Sequence, residues 1–214
     1  MRRMILALTL VLVAAACGGD EGETTAPSQF PTGSVRSWFD ALEANDIAGA
    51  LELTYERSML VIVGAENDLP SSDLAALLRR GATPESAEAY LADFATALRE
   101  RYSSSLADVA VDGFSQIGDS FAAVTVTGDG QATIITRRNE DGVWQIDLVG
   151  TLGPALIGQV RSLLDNAEDD EDGATIRQTF EMEIIPSLEA VTAHDPANLT
   201  LASELRVLKS ELGL

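Results

Sequence analysis

The chain has 214 residues, enough for one domain or one domain with an extension, and 46% of them are hydrophobic, which excludes a disordered composition. Fourteen basic residues stand against 34 acidic ones, a net charge of −20. A field of that sign repels phosphate backbones and anionic headgroups, so it argues against nucleic-acid binding and against a direct electrostatic hold on lipid.

The amino terminus reads MRRMILALTLVLVAAAC. Arg2 and Arg3 make a positive n-region, and residues 4–16 make an apolar h-region. At 1.5 Å per residue that h-region covers about 20 Å, short of the ~30 Å hydrocarbon core, so a signal peptide is expected rather than a transmembrane helix. The small residues Ala14, Ala15 and Ala16 directly precede Cys17. This resembles the lipobox of bacterial lipoproteins, although Ala14 replaces the leucine most common at its place. The resemblance implies cleavage between Ala16 and Cys17, and acylation of the Cys17 thiol. A lone thiol in an oxidising compartment has no disulfide partner, which agrees with its modification. Residues 18–33, GGDEGETTAPSQFPTG, show no apolar period and read as an acidic flexible tether. No other hydrophobic segment approaches the length of a membrane span.

From Ser34, read as an N-cap, the pattern becomes helical. Val35, Trp38, Phe39 and Leu42 share one face, and Ile47, Ala50, Leu51 and Tyr55 repeat the period after Asn45-Asp46. Residues 59–63 form a short apolar run that fits either a strand or a turn of core helix. Pro70-Ser71-Ser72-Asp73 starts a helix that Gly81 stops. Thr83-Pro84-Glu85 starts another, with Ala87, Tyr90, Leu91, Phe94, Leu98 and Tyr102 as its apolar face.

The pattern then changes to strands. Residues 106–113 alternate at Val109 and Val111, and residues 121–127 alternate again before Gly128-Asp129-Gly130, a tight-turn signal. Ile134 and Ile135 belong to the next strand, and Asn139-Glu140-Asp141-Gly142 marks a second turn. The last strand is expected to place Trp144, Ile146 and Leu148 on one face, with Gln145, Asp147 and Val149 on the other, Asp147 toward solvent. Helices followed by an antiparallel meander indicate α+β.

Trp38-Phe39, Ala41-Leu42, Asn45-Asp46 before the second helix, and Trp144-Gln145-Ile146 in the last strand together resemble the NTF2-like (cystatin-like) superfamily, closest to lipoprotein-associated branches of the DUF4878 type. The resemblance spans residues 34–150. It implies a cone in which a curved antiparallel sheet wraps a long helix and leaves a cavity at the open end, with residues 151–214 as a helical extension. Members of that superfamily include isomerases and hydrolases, and many bind a ligand or partner without chemistry.

In the extension, Gly153-Pro154 opens a helix through Leu156, Ile157, Val160, Leu163 and Leu164. Residues 165–173, DNAEDDEDG, carry six acids in nine positions. Glu168, Asp170, Asp172 and Gly173 fit the start of a calcium loop, but its twelfth position is Thr179 rather than a bidentate glutamate, so a solvated acidic linker is expected and no metal. Ile176, Phe180, Ile184, Leu188 and Val191 form a stripe that Pro186 kinks or divides. Leu201, Leu205, Leu208 and Leu212 form the last stripe. These stripes are expected to pack within the chain, with a homodimer as the alternative.

No catalytic residue is assigned from sequence. The single histidine, His194, sits beside Asp195 in a turn, and no CxxC, HExxH, Walker or GxGxxG motif occurs in context. An isomerase-type mechanism would need an acid inside the cone, from Asp46, Glu56 or Asp147, facing Tyr55 or Tyr90. Tyr55, Tyr90, Trp144 and Asp147 are therefore the candidate pocket residues. The expected protein is an extracytoplasmic lipoprotein, held to the bacterial cell membrane through acylated Cys17. It binds an envelope protein or small ligand and uses no cofactor. The alternatives are a cone-pocket enzyme and an envelope scaffold.

Overall fold

A computed structural model describes residues 30–101 and 105–214. The signal peptide, the lipobox at Cys17, most of the tether and Tyr102 lie outside the described residues. The fold is α+β: a four-stranded antiparallel sheet in the order β1-β2-β3-β4, with helices before and after it.

Helix α1 runs Pro31–Ala44 with Phe30 at its N-cap position, four residues before the expected cap at Ser34. Pro31 presets the first helical φ and has no N–H to leave unsatisfied, so it opens the helix, and Ser34 is buried inside it. Asn45 ends α1 in the left-handed region at φ 58°, and the Asp46 carboxylate accepts from Gly49 N at 3.0 Å to cap α2 (Ile47–Glu52). Tyr55 is not on that helix. Residues 53–55 are pinned to the sheet instead: Ile146 N donates to Leu53 O at 2.7 Å and Tyr55 N to Ile146 O at 2.9 Å. The apolar run 59–63 lies within α3 (Glu56–Glu66), so its helical reading holds. Helix α4 (Ser71–Arg80) stops at Gly81, φ 75°, and α5 (Pro84–Arg101) begins where Thr83 Oγ1 accepts from Ser86 N.

Strand β1 is Ala110–Ile117, after a 3-10 turn at Leu106–Asp108, so the first strand lies later than the alternation at Val109 suggested. Strands β2 (Phe121–Thr127) and β3 (Gln131–Arg138) form the expected hairpin, and Gly142, φ 81°, makes the second turn. Strand β4 is only Trp144–Ile146. The chain leaves the sheet at Asp147, whose carboxylate accepts from Gly150 N and caps α6 (Leu148–Leu152). Leu148 and Val149 are thus helical core residues, and Asp147 is wholly buried rather than solvent-facing.

The register sets two faces. Residues directly paired across an antiparallel ladder project the same way, so Val124, Ile134, Thr136 and Ile146 share one face, and Phe121, Ala123, Ile135, Arg137 and Gln145 the other. Helix α1 packs along all four strands on the first face. On the second, α6 lays Gly150 against Ile135, and α9 crosses β1 and β2. The sheet is covered on both sides.

That second layer comes from the carboxy-terminal third. Helix α7 (Ile157–Asp165) starts four residues after Gly153, because α6 already occupies the chain up to Leu152. The acidic run is exposed at Asp165, Glu168, Asp169, Asp170 and Glu171, as a solvated run should be, but it is built into helix ends rather than being a free linker. Asp170 caps α8 (Glu171–Thr179) through Gly173 N, Asp172 pairs with Arg79 of α4 at 2.6 Å, and Asp169 pairs with Arg177. A π-helical turn, Phe180–Ile184, leads into α9 (Ile185–His194). Pro186 lacks an N–H and its ring crowds the carbonyl four residues back, so the chain widens upstream and Ile185 N reaches Phe180 O. Asn198 caps α10 (Leu199–Leu212), which Arg161 of α7 joins through Glu204 and Glu211. The apolar stripes of α7 to α10 enter the same core cluster as Val35 and Leu42 of α1.

Gly173 explains its own place in the acidic run. A Cβ there would lie 1.8 Å from the backbone carbonyl oxygen of Glu168. Gly173→Ala is expected to destabilise the protein by about 2 kcal/mol or more, because backbone cannot give way as a side chain can. Gly158→Ala, which meets nothing within 4 Å, should be neutral or slightly stabilising. Urea midpoints of the two variants make the comparison.

Candidate functional site

The richest polar arrangement lies on the second face of the sheet, where the amino end of α3, strand β3 and the π-turn meet. Tyr55 is placed there by its backbone bond to β4 and by Ser58, whose hydroxyl donates to Tyr55 O at 2.8 Å and accepts from Leu148 N at 3.0 Å. The neighbouring Thr54 is fixed from the other side, its hydroxyl accepting from Trp38 Nε1 at 3.0 Å. The Tyr55 hydroxyl donates to Glu183 Oε2 at 2.8 Å. The same oxygen pairs with Arg137 Nη1, and both side chains are largely shielded, 20% and 16% exposed. The Arg137 guanidinium lies over the Tyr55 ring, 4.7 Å from its centroid, and also faces Phe121 at 5.4 Å. Burial, and then the bond to Glu183, raise the Tyr55 pKa, so the phenol stays a donor.

One helical turn on, Ser187 Oγ sits 2.6 Å from Asp147 Oδ2 and 2.8 Å from the Glu183 carbonyl oxygen. A serine hydroxyl has one proton and a carbonyl can only accept. Ser187 Oγ donates to Asp147 Oδ2; its proton turns to the Glu183 carbonyl when Asp147 carries a proton and donates in turn. Asp147 Oδ1 meanwhile accepts from Gly150 N at 3.0 Å. Burial pushes the Asp147 carboxyl above its ordinary range. Ser187, the backbone N–H groups of Gly150 and Val149, and the charge of Arg137 oppose that shift.

Two clefts flank this network. One, of about 510 Å³, lies beside Tyr55 and is lined by Leu51, Thr54, Ala82, Pro84, Ala87 and Gln145, with Glu52, Glu56 and Arg57 at its rim. The other, of about 520 Å³, lies between α4 and the π-turn, where Arg57, Arg79, Gln178, Met182 and Glu183 meet. A smaller apolar cavity of about 180 Å³ lies where α1 and α5 meet residues 132–134 of β3 and the end of α6, between Trp38, Phe39, Phe94, Leu98, Ile134 and Leu152.

The four candidate pocket residues do not form one pocket. Tyr55 lines a cleft. Asp147 belongs to the adjoining network but is a buried cap. Tyr90 stacks on Phe94 and donates to Glu66 at 3.2 Å, and burial followed by the Glu66 charge raises its pKa. Trp144 is buried on the face away from Tyr55's network. Of the other acids considered, Asp46 caps α2, and Glu56 accepts from Ala82 N at 3.1 Å. His194 and Asp195 end α9. Sequence reasoning missed Arg137, Glu183 and Ser187. The one available signal was Pro186, which marks a distorted turn where backbone and side chains are re-aimed. Among the described residues, no group of three or more His, Cys, Asp or Glu could hold a metal ion, and no helix is long and apolar enough to cross a membrane.

No family model matches the chain, and no curated protein or solved structure matches it either.

Proposed function

We propose that the protein is a lipid-anchored extracytoplasmic lipoprotein whose NTF2-like domain binds a ligand or protein partner without catalysis. The observation that carries the binding half is the cleft of about 510 Å³ beside Tyr55, with an apolar floor and a polar, charged rim. The NTF2-like assignment is supported by α1 lying along the whole β1-β2-β3-β4 meander, and by the bridge that carries Thr54 beside Ile146. The carboxy-terminal helices add a layer that a simple cone lacks. Against a carboxylate mechanism stands the employment of the acids: Asp46 and Asp147 cap helices, Glu56 holds the α4–α5 loop, and Glu183 is neutralised by Arg137. The anchor rests on the sequence MRRMILALTLVLVAAAC alone.

Cys17→Ala tests the anchor. The wild-type chain should sediment with membranes and incorporate labelled palmitate. The variant should lose the label and remain an unprocessed precursor. A variant processed and labelled like wild type would refute lipidation at Cys17.

A further inference from the structure

The cleft beside Tyr55 has a charge pattern that narrows its ligand. Arg57 is exposed at its rim and, among the described residues, makes neither a hydrogen bond nor an ion pair, a condition it shares only with Arg206 among the arginines whose side chains are described. Arg36, Arg80, Arg99 and Arg138 also form no ion pair, but each is held by a backbone carbonyl, whereas the Arg57 guanidinium is not. Across the same rim, Glu52 uses its backbone carbonyl to accept from Gln145 Nε2 at 3.0 Å, while its carboxylate has no recorded partner among the described residues. Glu56 accepts from Ala82 N through Oε1 alone, and the Tyr55 hydroxyl donates its hydrogen bond to Glu183. The charged groups of the cleft are therefore one cation, Arg57, and two carboxylates, Glu52 and Glu56, of which Glu56 keeps Oε2 open; the Gln145 amide oxygen and the apolar Leu51, Ala82, Pro84 and Ala87 complete the lining.

We infer that this cleft takes a small zwitterion with an apolar body, of the class of short apolar peptides with free ends. The inference rests on the binding reading given above. A ligand carboxylate faces Arg57 in the planar, two-point geometry a guanidinium favours. A ligand ammonium faces Glu52, and apolar side chains cover the floor. A simple anion would meet Arg57 but enter the field of a chain of net charge −20, and a simple cation would meet the carboxylates but leave the Arg57 guanidinium without a counter-charge. A ligand of no net charge avoids both penalties. The volume of about 510 Å³ exceeds that of one amino acid and accommodates two or three residues.

The test uses the full lipidated chain in detergent micelles and calorimetric titration with three probes: leucyl-leucine with both ends free, its N-acetyl form, and its C-terminal amide. The free dipeptide should bind at least about tenfold more tightly than either blocked form. Arg57→Ala should abolish the advantage over the amide, and Glu52→Gln the advantage over the N-acetyl form. Both are surface substitutions that leave the core intact, and a urea midpoint equal to wild type confirms it for each. Equal affinity for all three probes, or no heat from any of them, overturns the inference. Neither result touches the Cys17 anchor, which the palmitate experiment judges separately. Binding of the free dipeptide that survives both substitutions places the ligand elsewhere and also overturns the assignment of this cleft.

Discussion

Asp147→Asn is expected to leave the protein at least as stable as wild type at neutral pH, whereas Asp147→Ala should cost roughly 2–4 kcal/mol. Asparagine reproduces the hydrogen bonds of the protonated acid. Its oxygen accepts from Gly150 N as Asp147 does at 3.0 Å, and its amide donates to Ser187 Oγ, turning the 2.6 Å bond that Ser187 donates in the wild type toward the Glu183 carbonyl. Alanine removes a helix cap and leaves Gly150 N without its side-chain partner in a wholly buried place, while Ser187 keeps only its bond to the Glu183 carbonyl. The pH dependence follows from the raised pKa. In the unfolded chain the carboxyl ionises near its ordinary value of 3.8. In the folded chain it holds its proton to higher pH. Its contribution is fully present below the unfolded value and is lost as pH rises through the folded one. The difference between Asp147→Asn and wild type should therefore move in the variant's favour across that window and then level off. Urea denaturation of both chains from about pH 4 to about pH 8 measures it. A variant that loses as much stability as alanine at every pH would mean that the ionised carboxylate is required.

The second large effect concerns Arg137 and Glu183. Each single replacement, Arg137→Ala or Glu183→Ala, should cost about 2–4 kcal/mol, because each leaves a largely shielded opposite charge alone. Arg137→Ala also uncovers the Tyr55 and Phe121 rings. Arg137→Lys should recover only part of the loss, since an ammonium keeps the charge but not the flat stacking surface. The pair Arg137→Met with Glu183→Leu should be more stable than either single alanine variant, as apolar side chains of similar size avoid the desolvation cost altogether. A double-mutant cycle in urea gives the coupling, expected at about 1–3 kcal/mol. Strict additivity would show that the pair contributes nothing beyond its separate contacts. Because this pair fastens the π-turn to β3, its loss should also open the cleft beside Glu183, which faster amide exchange in residues 180–187 would report.

The two effects share a cause that bears on how much of the site the sequence disclosed. Tyr55 is offered by the sequence as a pocket residue only because an isomerase-type mechanism would need a tyrosine facing a buried acid. Its partner Glu183 is 128 residues away, and nothing local to either residue announces the contact. Asp147 was noticed for the wrong setting. Alternation from Trp144 onward assigns it to an exposed strand face, but strand and helix patterns overlap over so short a run. The carboxylate's own capping bond to Gly150 ends the strand there. In the acidic run 165–173 the identity of Thr179 argues against a calcium loop. The run reads as solvated because a run of like charges normally is. Asp170 as a cap and Arg79 as a partner make it structured as well.

The sequence by itself determined the class of fold, the order of helices before a meander, most helix stops and caps, and the resemblance of the leader to a lipobox. These are written in local signals: Asn45-Asp46, Gly81, Thr83-Pro84 and the turns at 128–130 and 139–142 act within a few residues. Only the tertiary structure decided which acids are neutralised, which face of the sheet the last helices cover, and which charged groups are left free beside Tyr55. Those outcomes depend on desolvation and on partners remote along the chain. A carboxylate's state is set by what surrounds it in space, and no pattern of neighbours in sequence carries that information.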